Sequence, residues 1–264
     1  MVTVRPAAVA GTFYPADPHA LSDQVAGFLR DGAAGSGAAP KAVIAPHAGY
    51  VYSGPIAGSA FRAIAPAAAT IERVVLLGPA HFLPIRGMAL PGQQSYGTPL
   101  GAVRIEPEGA QASLRLPQVR VIPEAHAREH SLEVELPFLQ SLLGEFVLVP
   151  LAVGDATGEE VAEVLDRLWG GPETLIVISS DLSHYLPYPA AQRADRATAD
   201  EILALGGPLD PRQACGAAPI NGLLEAARSR GLVPELLDLR NSADTAGDPS
   251  RVVGYGAFAF HERA

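Results

Sequence analysis

The sequence has few reactive residue types and no long apolar run. It contains a single cysteine, Cys215, so no intrachain disulfide can form, and a single lysine, Lys41. One cysteine fits a reducing compartment, and we expect a cytoplasmic protein. No apolar run approaches the roughly 18 residues needed to span a bilayer, and no charged segment followed by an apolar one begins the chain. The sequence therefore predicts neither a membrane span nor a secretory signal.

Positive charge is also scarce. The chain has 28 acidic and 19 basic residues, and 28 − 19 gives a formal net charge of −9. Because an excess of negative charge repels phosphate backbones, we do not expect nucleic acid as a partner. Hydrophobic residues make up 48% of the 264 residues and charged residues 18%, which excludes a disordered chain.

Apolar segments of strand length alternate with amphipathic segments of helix length. The predicted strands are 41–45, 72–77, 146–151, 174–178 and 251–260, and the predicted helices are 53–64, 157–168, 190–205 and 221–230. This alternation is typical of a mixed, mostly parallel central sheet with helices on both faces. Residues 87–122, rich in Pro and Gly, are expected to form an inserted loop or hairpin without a helix, and 32–40 a surface linker. We predict a single α/β domain over residues 1–264.

Three of the seven histidines directly follow predicted central strands. His47, His81 and His184 come after strands 41–45, 72–77 and 174–178. Ligands bind outside the carboxyl ends of such strands, so distant parts of the chain are expected to meet at one edge. One histidine at such a position is usually structural, but three together favour a shared site. Two imidazoles and a carboxylate form a common open site for a divalent metal.

Three further segments contain candidate site residues. His130 and Glu133 lie three apart at the start of a predicted amphipathic helix that opens at Glu129. They either form a site that binds a metal or relays protons, or belong to a solvated first turn. Asp244 lies in a stretch of turn-forming residues and is either a third metal ligand or part of a plain loop.

Asp181 lies three residues before His184. Its carboxylate orients the His184 imidazole, which would then act as a general acid or base, or caps a helix, and the two roles are compatible. Cys215 is followed by glycine and either starts a helix, which would lower its pKa, or, as we expect, is a buried structural thiol. Phosphate-binding and nucleotide-binding glycine motifs are absent, as is the Gly-x-Ser-x-Gly elbow of serine hydrolases.

A set of short motifs, in order and nearly from end to end of the chain, resembles the Memo family. This family includes the prokaryotic AmmeMemoRadiSam system protein B and the animal mediator of ErbB2-driven cell motility. The matching motifs are Arg5-Pro-Ala, Ala10-Gly-Thr-Phe-Tyr14, Ala45-Pro-His-Ala-Gly-Tyr50, Tyr52-Ser-Gly54, Gly78-Pro-Ala-His81, Tyr96-Gly-Thr-Pro-Leu100, Glu129-His-Ser-Leu-Glu133, Leu136-Pro137, Val149-Pro150, Ser179-Ser-Asp-Leu-Ser-His184, Pro219-Ile220 and Val253-Gly-Tyr255.

The resemblance implies a fold like that of the class III, non-haem-iron extradiol dioxygenases, with a metal-binding pocket. The metal histidines of the family match His47 and His81, and Asp181 and His184 match its pocket residues. The third ligand of the animal members is a cysteine that our matching places at Thr245, beside Asp244. With Asp244 in its place, the set becomes the two histidines and one carboxylate of an iron site, so Fe(II) is the expected metal, with copper and zinc as alternatives.

Three functions remain open from the sequence. The first is a non-haem metal-dependent oxidoreductase of dioxygenase type, with metal on His47, His81 and Asp244 and with His184, Asp181 and His130 as catalytic groups acting on a small-molecule substrate. The second is a non-catalytic protein that binds a metal or a partner, such as a radical-SAM enzyme. The third is a metal-dependent hydrolase. Thr245, Glu133 and water remain alternatives to Asp244 as the third ligand.

Overall fold

One mixed β-sheet organises the chain. The computed structural model describes residues 3–263, and within them the sheet has twelve strands. They are β1 (Val4–Arg5), β2 (Ala42–Ala45), β3 (Arg73–Pro79), β4 (Met88–Leu90), β5 (Ser95–Thr98), β6 (Gly101–Ile105), β7 (Val119–Val121), β8 (Val147–Val153), β9 (Thr174–Ser179), β10 (His184–Leu186), β11 (Val233–Asn241) and β12 (Val252–His261).

The centre of the sheet is parallel. Strands β8, β3, β9 and β2 are adjacent in that order and run in the same direction. The long strand β12 pairs antiparallel with β2, β11 and β10, and short antiparallel pairs flank the other side. The central strands are buried along nearly their whole length, as their continuous apolar sequences predict.

Eight α-helices accompany the sheet in the described part of the chain. They are α1 (Pro18–Asp31), α2 (Tyr50–Arg62), α3 (Pro107–Ser113), α4 (Pro123–Ala127), α5 (Leu136–Leu142), α6 (Gly158–Leu168), α7 (Tyr188–Leu203) and α8 (Ala217–Arg230). Helices α1, α2 and α5 pack with one apolar core, and α6, α7 and α8 with a second core on the other face. The fold is therefore an α/β domain with helices on both faces of a mixed, mostly parallel sheet, as the sequence predicts.

Most of the predicted strands and helices are present, but several begin or end at other residues than predicted. Helix α6 begins with the predicted capping box of Thr157 and Glu160. Helices α2, α7 and α8 begin at Tyr50, Tyr188 and Ala217, earlier than predicted, and the prediction had placed nothing at α1 or β11. None of the helices in residues 3–263 combines the length and the apolar composition that crossing a bilayer requires.

Two local predictions were wrong. Residues 87–122 contain the expected hairpin, formed by β5 and β6, but also helix α3, which starts at Pro107 because proline is preorganised for a first turn. No helix opens at Glu129. Its carboxylate accepts hydrogen bonds from the backbone N–H groups of His130 and Ser131, which holds this segment in a turn before α5.

Candidate metal centre

Parallel strands deliver three functional side chains to one edge of the sheet. Ala45 at the end of β2 is in register with Ser179 at the end of β9, and Leu77 of β3 is in register with Ile178. His47, His81 and Asp181 each lie two residues beyond a strand end. The loops after β2 and β9 are tied together, because the backbone N–H of His47 donates to Oδ1 of Asp181 at 2.9 Å.

His47, His81 and His130 form a compact cluster at this edge. Their ring centroids are 5.3 Å apart for His47 and His81, 5.5 Å for His47 and His130, and 4.9 Å for His81 and His130. One ring nitrogen from each lies within 4.8 Å of the other two. Nitrogen atoms at this spacing are close enough to bind a single cation, so the cluster could hold a divalent metal.

The ring of His47 is fixed by contacts on both sides. It is 1% exposed, and its Nδ1 atom lies 2.7 Å from Oγ of Ser179 at the end of β9. The opposite nitrogen, Nε2, is 3.5 Å from Sγ of Cys215. Because Nδ1 is bonded to the protein, Nε2 is the nitrogen available as a metal ligand.

His81 is oriented by a buried acid, Glu129, that the sequence analysis did not identify as a site residue. Oε1 of Glu129 lies 2.9 Å from Nδ1 of His81, and Oε2 accepts from the His81 backbone N–H. Burial alone would raise the pKa of Glu129, but the hydrogen bonds from His81 and from the Ser131 backbone outweigh it and lower the pKa to about 2. An ionised carboxylate on Nδ1 leaves Nε2 of His81 free for a metal, an arrangement common in metalloproteins.

His130 completes the cluster from the turn that precedes α5. Its Nδ1 atom is buried and makes no hydrogen bond within residues 3–263, although Oε1 of Glu129 lies 3.4 Å away. A buried ring nitrogen without a partner is costly unless it binds something, which is the pattern expected of a ligand position. The donor set therefore fits a metal.

Glu133 does not share this site with His130. It is fully buried and forms an ion pair with Arg5, and it also accepts from the Tyr14 hydroxyl and from the backbone N–H groups of Ala8 and Val9. The expected common face of His130 and Glu133 required a helix, and the turn at Glu129 sends the two side chains apart. Glu133 instead anchors the segment that carries Phe13 to the cleft wall.

Asp244 and Thr245 are not brought to the histidines. Oδ1 of Asp244 accepts from the Tyr188 hydroxyl at 2.6 Å, and Oδ2 accepts from the Asn241 backbone N–H at 2.8 Å. Thr245 donates its hydroxyl to the carbonyl of Ser242. Asp244 lines a separate small cavity beside α7 and belongs to a short 3₁₀ turn at 242–244, so the structure assigns it a capping role in place of the expected metal ligand.

Cys215 is a second site residue, after Glu129, that the sequence analysis does not identify as one. It was expected to be a structural thiol, but it lines the cleft in front of α8, beside His47. Its Sγ accepts from the Asp181 backbone N–H at 3.3 Å. The only sequence signal is local: a cysteine followed by glycine at the start of a helix, which does not reveal a partner 168 residues earlier in the chain.

Burial keeps three histidines of the cleft neutral, namely His47, His130 and His184. It lowers the pKa of His47 well below the usual value, with the neighbouring imidazoles adding to the effect, and lowers the pKa of His130 to about 4. Burial also lowers the pKa of His184. Neutral imidazoles present the lone pairs that a metal requires. In contrast, burial raises the pKa of Asp181 to about 7 and that of the Cys215 thiol to about 12.

The cluster lies at the base of a cleft of about 650 Å³. His184 joins its wall from the start of β10, where it pairs with Val253 of β12. The wall also carries aromatic and charged side chains, which include Phe13, Tyr52, Tyr185, Tyr255, Asp248 and Arg251. A groove of about 830 Å³ at the opposite end of the strands, near Arg73 and Val147, is larger, but no histidine or cysteine lines it among the described residues.

An α/β sheet with a histidine cluster beyond the carboxyl ends of its parallel strands defines the class of this protein, and comparisons identify the family. The family model described as "Memo-like protein" matches residues 5–259. A MEMO1 family protein of Methanopyrus kandleri is 38% identical over 287 residues, which cover 97% of this chain and 98% of the relative. A MEMO1 family protein of Aquifex aeolicus is 36% identical, with coverage of 97% and 99%.

The chain belongs to the Memo family. A solved structure, the crystal structure of an uncharacterized protein from Escherichia coli K12, is similar in fold. The two chains align with a TM-score of 0.54 and 15% sequence identity, covering 82% of this chain and 98% of the other. At this identity the likeness concerns the fold alone.

Proposed function

We propose that this protein is a metal-dependent oxidoreductase of dioxygenase type, in which His47 and His81 hold a divalent metal, Fe(II) in the first instance. The observation that carries the proposal is the cluster of three imidazole nitrogens within 4.8 Å of one another at the base of the cleft. His130 offers a third donor nitrogen, in the role for which the sequence suggested Asp244. Three side-chain donors leave coordination positions open for substrate and oxygen.

The donor chemistry supports a transition metal. Imidazole ligands suit Fe, Cu, Zn and Ni, whereas Ca²⁺ and Mg²⁺ prefer oxygen. The buried acid Glu129 and the hydroxyl of Ser179 hold the two outer ring nitrogens, which fixes the direction of both inner nitrogens before a metal arrives. When bound, the metal would supply Lewis acidity and redox chemistry at the base of the cleft.

His184 supplies the proton chemistry of the proposal, and Asp181 supports the loop of His47. Both line the cleft outside the three-histidine cluster. The lowered pKa of His184 keeps this imidazole neutral, so it can accept a proton from a hydroxyl group of a bound substrate. Asp181, through its bond to the backbone of His47, holds the metal-side loop in place.

Metal titration tests the proposal. Protein stripped of metal is titrated anaerobically with Fe(II), and in parallel with Zn²⁺ and Cu²⁺, and the metal content is measured after desalting. We expect one metal per chain in the wild type and its loss in His47→Ala and His81→Ala. The matched control is His19→Ala, since His19 is an exposed histidine of α1 outside the cleft. Equal metal content in all four proteins would refute the proposal.

A zinc-dependent hydrolase is the second candidate, and the ligand type favours it. Three histidines without a carboxylate form the protein ligand set of one type of catalytic zinc site. Hydrolysis of ester or phosphoester probes by the zinc-loaded protein without oxygen would select this function. Oxygen consumption that requires iron and an added phenolic compound would select the oxidoreductase. Tight metal binding with neither activity would favour a binding protein.

A further inference from the structure

The hydroxyl of Ser179 stands at the centre of a buried hydrogen-bond hub behind the cluster. Ser179 is fully buried at the end of β9. Its Oγ atom lies 2.7 Å from Nδ1 of His47, 2.6 Å from the carbonyl oxygen of Ser131 and 2.6 Å from Oε1 of Glu135. All of these groups are buried, so the protons in the hub are shared among these three contacts.

The number of donors and acceptors at this hub defines the protonation state of Glu135. A hydroxyl has one proton to donate and two lone pairs that accept. The carbonyl of Ser131 can only accept, so it takes the Ser179 proton. Both remaining contacts must then donate to Oγ, which requires a proton on Oε1 of Glu135 and a proton on Nδ1 of His47. If Glu135 were ionised, two acceptors would compete for one proton, and one buried acceptor would remain unpaired.

The surroundings of Glu135 also favour a protonated carboxyl group. The residue is 0% exposed, and its second oxygen, Oε2, has no hydrogen-bond partner within residues 3–263. An unpartnered oxygen costs little on a neutral acid and much on a buried anion. Burial raises the pKa of Glu135 well above its usual value. The Ser179 bond opposes this with a smaller effect, and the nearby Asp181 raises the pKa by less still.

We propose that Glu135 is a positioning residue that remains a neutral carboxylic acid, donates to Ser179 and, through it, keeps the proton of His47 on Nδ1. The lone pair of Nε2 then faces the cleft and Cys215. The use of that lone pair as a metal donor rests on the proposed function, but the tautomer does not. Glu135 touches neither the cleft nor a metal ligand directly and acts only through Ser179.

The tautomer of His47 and the protonation of Glu135 are both measurable without metal. Nitrogen NMR of histidine-labelled, metal-free wild type should show His47 with its proton on Nδ1. Infrared difference spectra should show a neutral carboxyl band that disappears in Glu135→Gln and persists in Asp181→Asn. Observation of the Nε2–H tautomer in the wild type, or absence of a carboxyl band that depends on Glu135, would overturn the proposal.

Point variants distinguish a role of Glu135 and Ser179 in positioning His47 from a role in core packing alone. Glu135→Gln keeps a donor to Ser179, so the His47 tautomer and the zinc affinity should match those of the wild type. Ser179→Ala removes the hub, so both tautomers should appear and zinc affinity should fall by about 10–100-fold. The control Ser113→Ala removes an equally buried hydroxyl that bonds to Gly109 in α3, and should change neither.

The two proposals fail in different ways. If no variant and no wild-type sample binds zinc but the NMR and infrared results hold, the proposed metal function is wrong and the role of Glu135 stands. If zinc binds as expected but Ser179→Ala leaves the tautomer and the affinity unchanged, the role of Glu135 is wrong and the metal site stands.

Discussion

The Sγ atom of Cys215 lies 3.5 Å from Nε2 of His47, although 168 residues separate them in the chain. Strand β2 delivers the imidazole, and the start of α8 delivers the thiol to the same cleft. A metal bound by His47 and His81 would therefore have two nearby candidates for a third donor, the nitrogen of His130 and the sulfur of Cys215. These donors differ in softness, so they affect the choice of metal differently.

Replacing Cys215 by serine should change which metal is preferred more than it changes the ability to bind a metal. Thiolates favour zinc and copper over iron, so Cys215→Ser should weaken zinc binding by about tenfold, or ~1.4 kcal/mol, and affect Fe(II) less. Competition titrations of both metals against a chromophoric chelator measure this. Equal losses for zinc and iron would show that the sulfur has no selective role.

Removal of the Asp244 carboxylate should leave metal affinity unchanged. Both of its oxygens are bonded to Tyr188 and to the Asn241 backbone, away from the histidines. Asp244→Ala should lower the melting temperature by about 2–4 °C, because a cap is lost. A loss of bound metal comparable to that in His81→Ala would restore Asp244 as a ligand and contradict the arrangement described above.

The sequence predicts the strands and their ends, but it does not predict which distant residues contact one another at the site. The apolar runs before His47 and His81 locate their strands, and the position of these residues beyond the strand ends follows from the general rule for α/β sheets. The turn at Glu129, which moves His130 into the cluster and Glu133 away from it, forms because the Glu129 carboxylate bonds to the N–H groups of His130 and Ser131 and also to His81 on a distant loop. Cys215 depends on how α8 packs. Such contacts between distant segments leave no periodic signal.

The buried pair of Arg5 and Glu133 should be essential for stability. Both side chains are at most 1% exposed. Glu133→Gln keeps the shape but leaves the Arg5 charge unpaired, so we expect a loss of about 3–5 kcal/mol in the free energy of unfolding in urea. Asp166→Asn, which removes the half-exposed partner of Arg230, is the control and should cost about 1 kcal/mol or less. Equal losses of unfolding free energy in the two variants would mean that the buried ion pair contributes no more to stability than the surface pair.

Acid should destabilise the fold through His126. Burial lowers the pKa of this histidine to about 4, partly offset by its bond to the Ala89 carbonyl. Its ring contacts Tyr96, and the charged groups that act on it are Arg5 and Glu129. Between pH ~6.5 and ~4 the unfolded chain binds more protons than the folded one, so stability rises with pH in this window and levels off above it.

Comparison with His126→Gln isolates this contribution. As the pH falls through this window, the free energy of unfolding of the wild type should decrease by up to about 3 kcal/mol more than that of the variant. Urea unfolding at each pH measures this difference. Parallel pH profiles for the two proteins would show that His126 does not titrate as described.

The most direct test of the account is a crystal structure of metal-loaded protein with diffraction data at the absorption edge of the bound metal. We predict one anomalous peak in the cleft, about 2.0–2.3 Å from a ring nitrogen of both His47 and His81, with His130 or Cys215 as the next donor. A fully loaded protein whose anomalous peak lies elsewhere, with the His47 and His81 nitrogens bonded only to protein atoms, would contradict the account.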